Sequence, residues 1–133
     1  MLGATLAAAA GPDTPYETIR IEAFDAQEGG RFADRMASAG DLDGDRVPDV
    51  WISAYFLDVG GASNVGRVYA MSGRTRQPIY RIDHPEPQDC QAFPGASRPP
   101  TFACGLGWSI SNLDDIDGDG ISDLVAAANR QNV

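Results

Sequence analysis

Asp41, Asp43, Asp45 and Asp49 fall within nine residues, in "GDLDGDRVPD", and Asp115, Asp117, Asp119 and Asp123 repeat that spacing 74 positions later, in "DDIDGDGISD". Carboxylates this crowded oppose one another: a pair ~4 Å apart repels by about 1 kcal/mol even at the dielectric of water. A divalent guest turns that repulsion into attraction. A hard cation such as Ca²⁺ takes roughly six to eight oxygens from carboxylates, backbone carbonyls and water. The pattern D-x-D-G-D-x-x-x-D can supply them. Asp41, Asp43 and Asp45 point inward, the Val47 carbonyl takes the next vertex, and Asp49 closes the sphere. Asp115, Asp117, Asp119, the Ile121 carbonyl and Asp123 do the same in the second copy, so two Ca²⁺ sites are expected. Gly44 and Gly118 let the backbone wind close to the ion. The same residue types also build ordinary solvated turns, but finding the whole pattern twice favours the cation. The first loop is the poorer one, because Arg46 stands where the second has Gly120. If that position is left-handed, a non-glycine residue costs roughly 1 kcal/mol there.

The elements that must hold these loops are short and extended. The flanks match as well as the loops, "RFADRMASAGDLDGDRVPDVWISA" against "CGLGWSISNLDDIDGDGISDLVAAA", which is the mark of an internal repeat. Each copy reads as strand, loop, strand. No stretch holds apolar residues at helical spacing for a dozen positions, so the fold is expected to be all-β. Strands are predicted at about 32–40, 48–56, 66–72 and 78–83, with "SGRTRQ" as a hairpin turn. One more, in "YETIRIEAF", precedes them at 16–24. An EF-hand is excluded: the twelfth loop positions are Ile52 and Ala126, where that motif needs a bidentate Glu between helices.

The acidity is local. The net charge is −9, yet nine of the nineteen acids lie in or beside the two loops, and the other ten face ten arginines. Two clusters in a neutral background suit captured cations, and with no basic stripe nucleic acid is not an expected partner. Cys90 and Cys104 share one Pro-rich stretch, and their even count favours a disulfide over two separate thiols. Such a bridge would contribute roughly 3 kcal/mol in an oxidising compartment. His84 is the single histidine and is placed in a solvent loop; no Ser or Cys has a base partner, so catalysis by these residues is not expected. Arg74, Arg76 and Arg81 read as a solvated basic edge. "MLGATLAAAAGP" lacks a basic start and is too short to span a bilayer; it is either the remnant of a clipped export signal or a flexible end.

With these residues in view, the chain resembles the FG-GAP repeats of the integrin alpha N-terminal β-propeller and its relatives. Phe32-Ala33 and Leu106-Gly107 stand for the Phe-Gly element, "ISA" and "AAA" for Gly-Ala-Pro without its proline, and "GRVYAMSG" for the Gly-x-Val-Tyr strand. The resemblance implies a partial β-propeller, one full blade with parts of its neighbours, and calcium in the inner hairpin loops. The first repeat is assigned to 31–83, a Pro-rich insertion to 84–105, and a partial second repeat to 106–133, after a flexible or signal-derived 1–15. Trp51 and Trp108 would then pack between blades, and Tyr69 and Tyr80 in outer strands. The implied role is an extracellular, non-catalytic scaffold for adhesion or for a protein or carbohydrate ligand, with the rest of the propeller outside this chain. The alternative is an accessory part of a secreted carbohydrate-active or phospholipid-cleaving enzyme.

Overall fold

The computed structural model of the protein describes residues 3–8, 17–22, 25, 27–90 and 104–128. Eight strands run in chain order: β1 (Gly3–Ala8), β2 (Glu17–Glu22), β3 (Phe32–Gly40), β4 (Asp49–Ala54), β5 (Arg67–Met71), β6 (Pro78–Asp83), β7 (Leu106–Asn112) and β8 (Leu124–Ala128). A single 3₁₀ turn, Pro87–Cys90, is the helical element among the described residues, and no helix there is long and apolar enough to cross a membrane. The strands make an antiparallel four-stranded sheet in the order β3-β4-β5-β6, flanked by the pairs β1-β2 and β7-β8. The fold is all-β and has the form of a partial propeller, a complete blade between two half-blades.

Alternation along the central strands explains the stacking. Ile52, Ala54, Tyr69 and Met71 face one side, where Ile21 of β2 and Leu57 join them. Trp51, Val68 and Ala70 face the other, against Leu106, Ile110, Leu124 and Ala126 of the β7-β8 pair. With both faces covered, β4 and β5 are apolar at successive positions rather than alternate ones. Trp51 is the largest buried side chain and lies between the two sheets, as its strand context suggested. Trp108 does not: it is 38% exposed and meets Tyr55 edge-on at 5.1 Å. Of the two tyrosines assigned to outer strands, Tyr69 is buried and Tyr80 is exposed.

Three other expectations change. The N-terminal stretch, read as flexible or signal-derived, contains β1, which pairs antiparallel with β2 from Gly3↔Glu22 to Ala8↔Glu17. Its alanines gave no alternation to read; pairing with β2, which sends Ile21 into the core, is what orders it. His84 is buried, not solvated, and its Nδ1 accepts from the Glu86 N–H at 3.2 Å. It is drawn in because the insertion is stapled at both ends: Cys90 and Cys104 form a disulfide and pack with Ala62 and Val65 in a small core of their own. The bridge expected from the even count is present, while residues 91–103 of the insertion lie outside those described. Arg74, finally, belongs to the acidic loop rather than to a solvated edge.

The Phe-Gly element has a conformational meaning. Gly107 has φ +90° and Ala33, its counterpart, φ +65°, and each sits in a register shift of its hairpin, between Leu106 and Ser109 or between Phe32 and Met36. At Gly107 a Cβ would also stand 2.8 Å from Ser53 Cβ, so β7 approaches β4 and β5 as only glycine allows. Ala33 accepts the left-handed strain.

A charged clasp closes this same end of β5, at its first residue. Arg67 grips Asp83 with Nε and Nη2 and reaches Asp25, ahead of β3, with Nη1. Tyr69 Oη donates to the second Asp25 oxygen at 2.7 Å. Burial, then the Asp25 carboxylate, pushes the Tyr69 hydroxyl well above its ordinary pKa of 10.0.

Two outcomes are expected. Gly107→Ala lowers stability by about 2 kcal/mol or more, from left-handed strain plus the collision, while Ala33→Gly raises it by up to about 1 kcal/mol, both measured by urea unfolding. Because the Tyr69 pKa is raised in the folded state, its contribution is intact below about pH 10 and is lost as pH climbs through the folded value. Tyr69→Phe should therefore cost about 1.5–3 kcal/mol at neutral pH, for a hydrogen bond to a charged group, and flatten the alkaline loss of stability.

Candidate metal centre

The two acidic loops join β3 to β4 and β7 to β8, at the same end of neighbouring sheets. In the first, Asp41 Oδ1 accepts from the Gly44 and Asp45 N–H groups at 2.8 and 3.0 Å, and Oδ2 from Arg46 N–H at 2.9 Å. Asp43 Oδ1 accepts from Asp45 N–H at 3.2 Å and Asp45 Oδ1 from Val47 N–H at 2.8 Å. The second loop repeats this atom for atom. Asp115 Oδ1 accepts from Gly118 and Asp119 at 2.7 and 3.0 Å and Oδ2 from Gly120 at 2.8 Å; Asp117 Oδ1 takes Asp119 at 3.1 Å, and Asp119 Oδ1 takes Ile121 at 2.8 Å. The backbone N–H groups thus occupy three of the roughly four lone-pair sites of Asp41 and Asp115 and one each of Asp43, Asp45, Asp117 and Asp119, and leave the others open.

Convergence follows. Carboxylate oxygens of Asp41, Asp43 and Asp45 lie within 4.8 Å of one another, and so do those of Asp115, Asp117 and Asp123. The donors are all hard oxygens, at exposed or half-buried positions. That chemistry fits Ca²⁺ and does not suit a soft metal.

The loops differ in their closing acids. Asp49 is 3% exposed, and both its oxygens hold backbone: Oδ2 accepts from Leu42 N–H at 2.6 Å and Oδ1 from Gly73 N–H at 3.0 Å. In the second loop Asp123 Oδ2 accepts from Ile116 N–H at 2.9 Å, and its carboxylate joins the convergent trio, which Asp119 does not. Val47 and Ile121 occupy matching places, each donating its N–H to the acid two residues before it.

Arg74 was not foreseen at this site. From the β5-β6 turn its Nε donates to Asp45 Oδ2 at 2.8 Å and its Nη2 to the Asp45 carbonyl at 2.7 Å. The signal was topological. In an up-and-down sheet the β3-β4 loop and the β5-β6 turn must share an end, which brings "SGRTRQ" beside the acids. Tyr80 lies near both loops: burial, then the Asp49 and Asp119 charges, raise its hydroxyl pKa. Gly40 abuts Ser122, where a Cβ would come 3.1 Å from Oγ, and the Asn112 amide nitrogen, turned inward, donates to the carbonyls of Ser38 and Asp123 at 3.3 and 3.2 Å.

A doubled acidic hairpin on stacked antiparallel sheets invites comparison with known proteins. The chain is similar to Integrin alpha-5 of Xenopus laevis. The two are 35% identical over 102 residues, 77% of this chain and 9% of the integrin. Any such stretch of a 133-residue chain contains residues 32–102, so the likeness to Integrin alpha-5 takes in the central sheet and the first loop. The chain spans about a tenth of that relative's length. No family model matches it.

Arg46 has φ +69° where Gly120 has φ +90°, so the position is left-handed in both loops and the first carries the strain. Arg46→Gly is expected to stabilise the protein by about 1 kcal/mol, read as a rise in the urea midpoint with the slope unchanged.

Proposed function

We propose that the chain is a calcium-binding FG-GAP-type propeller module of an extracellular protein, a non-catalytic scaffold whose ions stiffen hairpins for adhesion or ligand binding. One observation carries the reading: two loops 74 residues apart repeat the same network of backbone N–H to carboxylate bonds, and each gathers three carboxylates. Asp41, Asp43 and Asp45 with the Val47 carbonyl would hold one ion, and Asp49 would serve it by bracing the loop from Leu42 and Gly73. Asp115, Asp117, Asp119, the Ile121 carbonyl and Asp123 would hold the other. The bound ion would neutralise acids that otherwise repel, so loop order and metal occupancy rise together. The likeness to Integrin alpha-5 supports an adhesion-type module, and the disulfide supports an oxidising, extracellular setting.

Calorimetric titration with Ca²⁺ tests this, with EGTA as the control. Two sites are expected in the native chain, one in Asp43→Ala, one in Asp117→Ala and none in the double variant. Asp43 and Asp117 are chosen because each accepts a single backbone hydrogen bond, so the fold survives their loss. Calcium at a hundredfold excess over its dissociation constant should stabilise the native chain by about 2.7 kcal/mol per site. No heat and no shift in Tm would overturn the assignment.

A further inference from the structure

The first acidic loop holds its third acid with a cation from elsewhere in the chain. Asp45 Oδ1 accepts from Val47 N–H at 2.8 Å, Oδ2 from Arg74 Nε at 2.8 Å, and the Asp45 carbonyl from Arg74 Nη2 at 2.7 Å. One guanidinium thus grips the carboxylate and the backbone of the same residue, a fork that a point-like ammonium does not reproduce. Asp45 also stands in the convergent trio with Asp41 and Asp43. Its carboxylate is therefore claimed twice, by Arg74 in the structure and by the ion in the calcium reading.

The grip is built into the fold. Arg74 lies in the β5-β6 turn, which closes through Ser72 N–H to the Gln77 carbonyl at 2.9 Å, Arg76 N–H to the Ser72 carbonyl at 3.0 Å and Thr75 N–H to Ser72 Oγ at 3.2 Å. That turn is docked on the exit of the loop. Gly73 N–H donates to Asp49 Oδ1 at 3.0 Å, and a Cβ on Gly73 would collide with the Pro48 carbonyl and stand 3.1 Å from Val47 Cγ1. The backbone on both sides of the pair is thereby fixed, and the Arg74 side chain, 58% exposed, is the part left to swing. Exposed ion pairs are weak, and one of this geometry is closed about two to five times as often as it is open.

We propose that Arg74 is a tethered competitor for the first calcium site: its guanidinium and the ion take the Asp45 carboxylate in turn. The inference rests on the calcium reading of that loop and adds its regulation. With the pair closed, one acid of the loop is neutralised and the hairpin keeps its order without metal. A divalent ion at the trio meets the guanidinium across a single carboxylate, where the two positive charges repel. The site is competent only while the pair is open, between about a third and a sixth of the time, so its dissociation constant is raised about threefold to sixfold. By the same cycle Arg74 stabilises the metal-free chain by that factor and contributes nothing once the ion is bound. The first loop therefore fills only at higher calcium than its acids alone would need, and stays folded below that level.

Calorimetric titration with Ca²⁺ compares Asp117→Ala, in which the first site remains, with the same chain carrying Arg74→Gln. The expected result is a dissociation constant about threefold to sixfold lower with Arg74→Gln, and an intermediate value with Arg74→Lys, which keeps the charge without the fork. In Asp43→Ala, which keeps the second site, Arg74→Gln should leave the constant unchanged. Urea unfolding supplies the metal-free arm. In EGTA, Arg74→Gln should raise the unfolding equilibrium constant of the otherwise native chain by the same factor, and saturating Ca²⁺ should erase the difference. A first-site constant that is unchanged or higher with Arg74→Gln, an equal change at the second site, or a stability loss that persists in saturating Ca²⁺ overturns the proposal and leaves Arg74 as a brace. The calcium reading survives each of those results, whereas no heat in the native chain overturns both.

Discussion

A four-stranded sheet that is apolar on both faces has no stable place in water by itself. The stacking of this protein's sheets follows from the need to cover β4 and β5 twice. Ile21 of the preceding hairpin covers one side and the β7-β8 pair covers the other. The approach is close enough that left-handed backbone is needed at Gly107, where a side chain would collide with Ser53. Ser53 itself is buried with its hydroxyl unpartnered, a local cost that the surrounding apolar contacts offset. Hydrophobic burial thus sets the spacing of the sheets, and the sheets in turn set where their connecting loops emerge.

Those loops gather a charge that the sheets do not need. The backbone of each acidic hairpin is wound so that its N–H groups point at the aspartates, the reverse of a loop satisfied by solvent. Such N–H groups hold carboxylates in place without neutralising them. In the first loop Arg74 supplies one positive charge from a neighbouring turn, and Asp49 is committed to bracing Leu42 and Gly73. The second loop keeps its closing acid in the open cluster. Two sequences that look like copies have therefore been put to slightly different electrostatic use.

Much of this was readable from residues alone, and the exceptions share a cause. The strands expected at 32–40 and 78–83 are β3 and β6 at the same bounds, and β4 and β5 lie inside 48–56 and 66–72, because Gly and Pro punctuation brackets runs of β-forming residues. The acidic loops were readable because their chemistry is written in consecutive positions. Arg74 was not: its contact with Asp45 spans 29 residues and depends on which loops share an end of the sheet. The burial of His84 depends on a staple whose far end lies twenty residues on. β1 was missed because an alanine run carries no alternation, and only pairing with β2 distinguishes it from an unstructured tail.

The Cys90–Cys104 bond sits where one blade hands over to the next, and its consequence is mechanical. Fourteen residues of extended chain could span roughly 46–50 Å, whereas the bridged Cα atoms are 5.0 Å apart. Pulled from its ends, the molecule has almost no slack to pay out at this junction. Force must be met by shearing the packed sheets rather than by unspooling the segment between them.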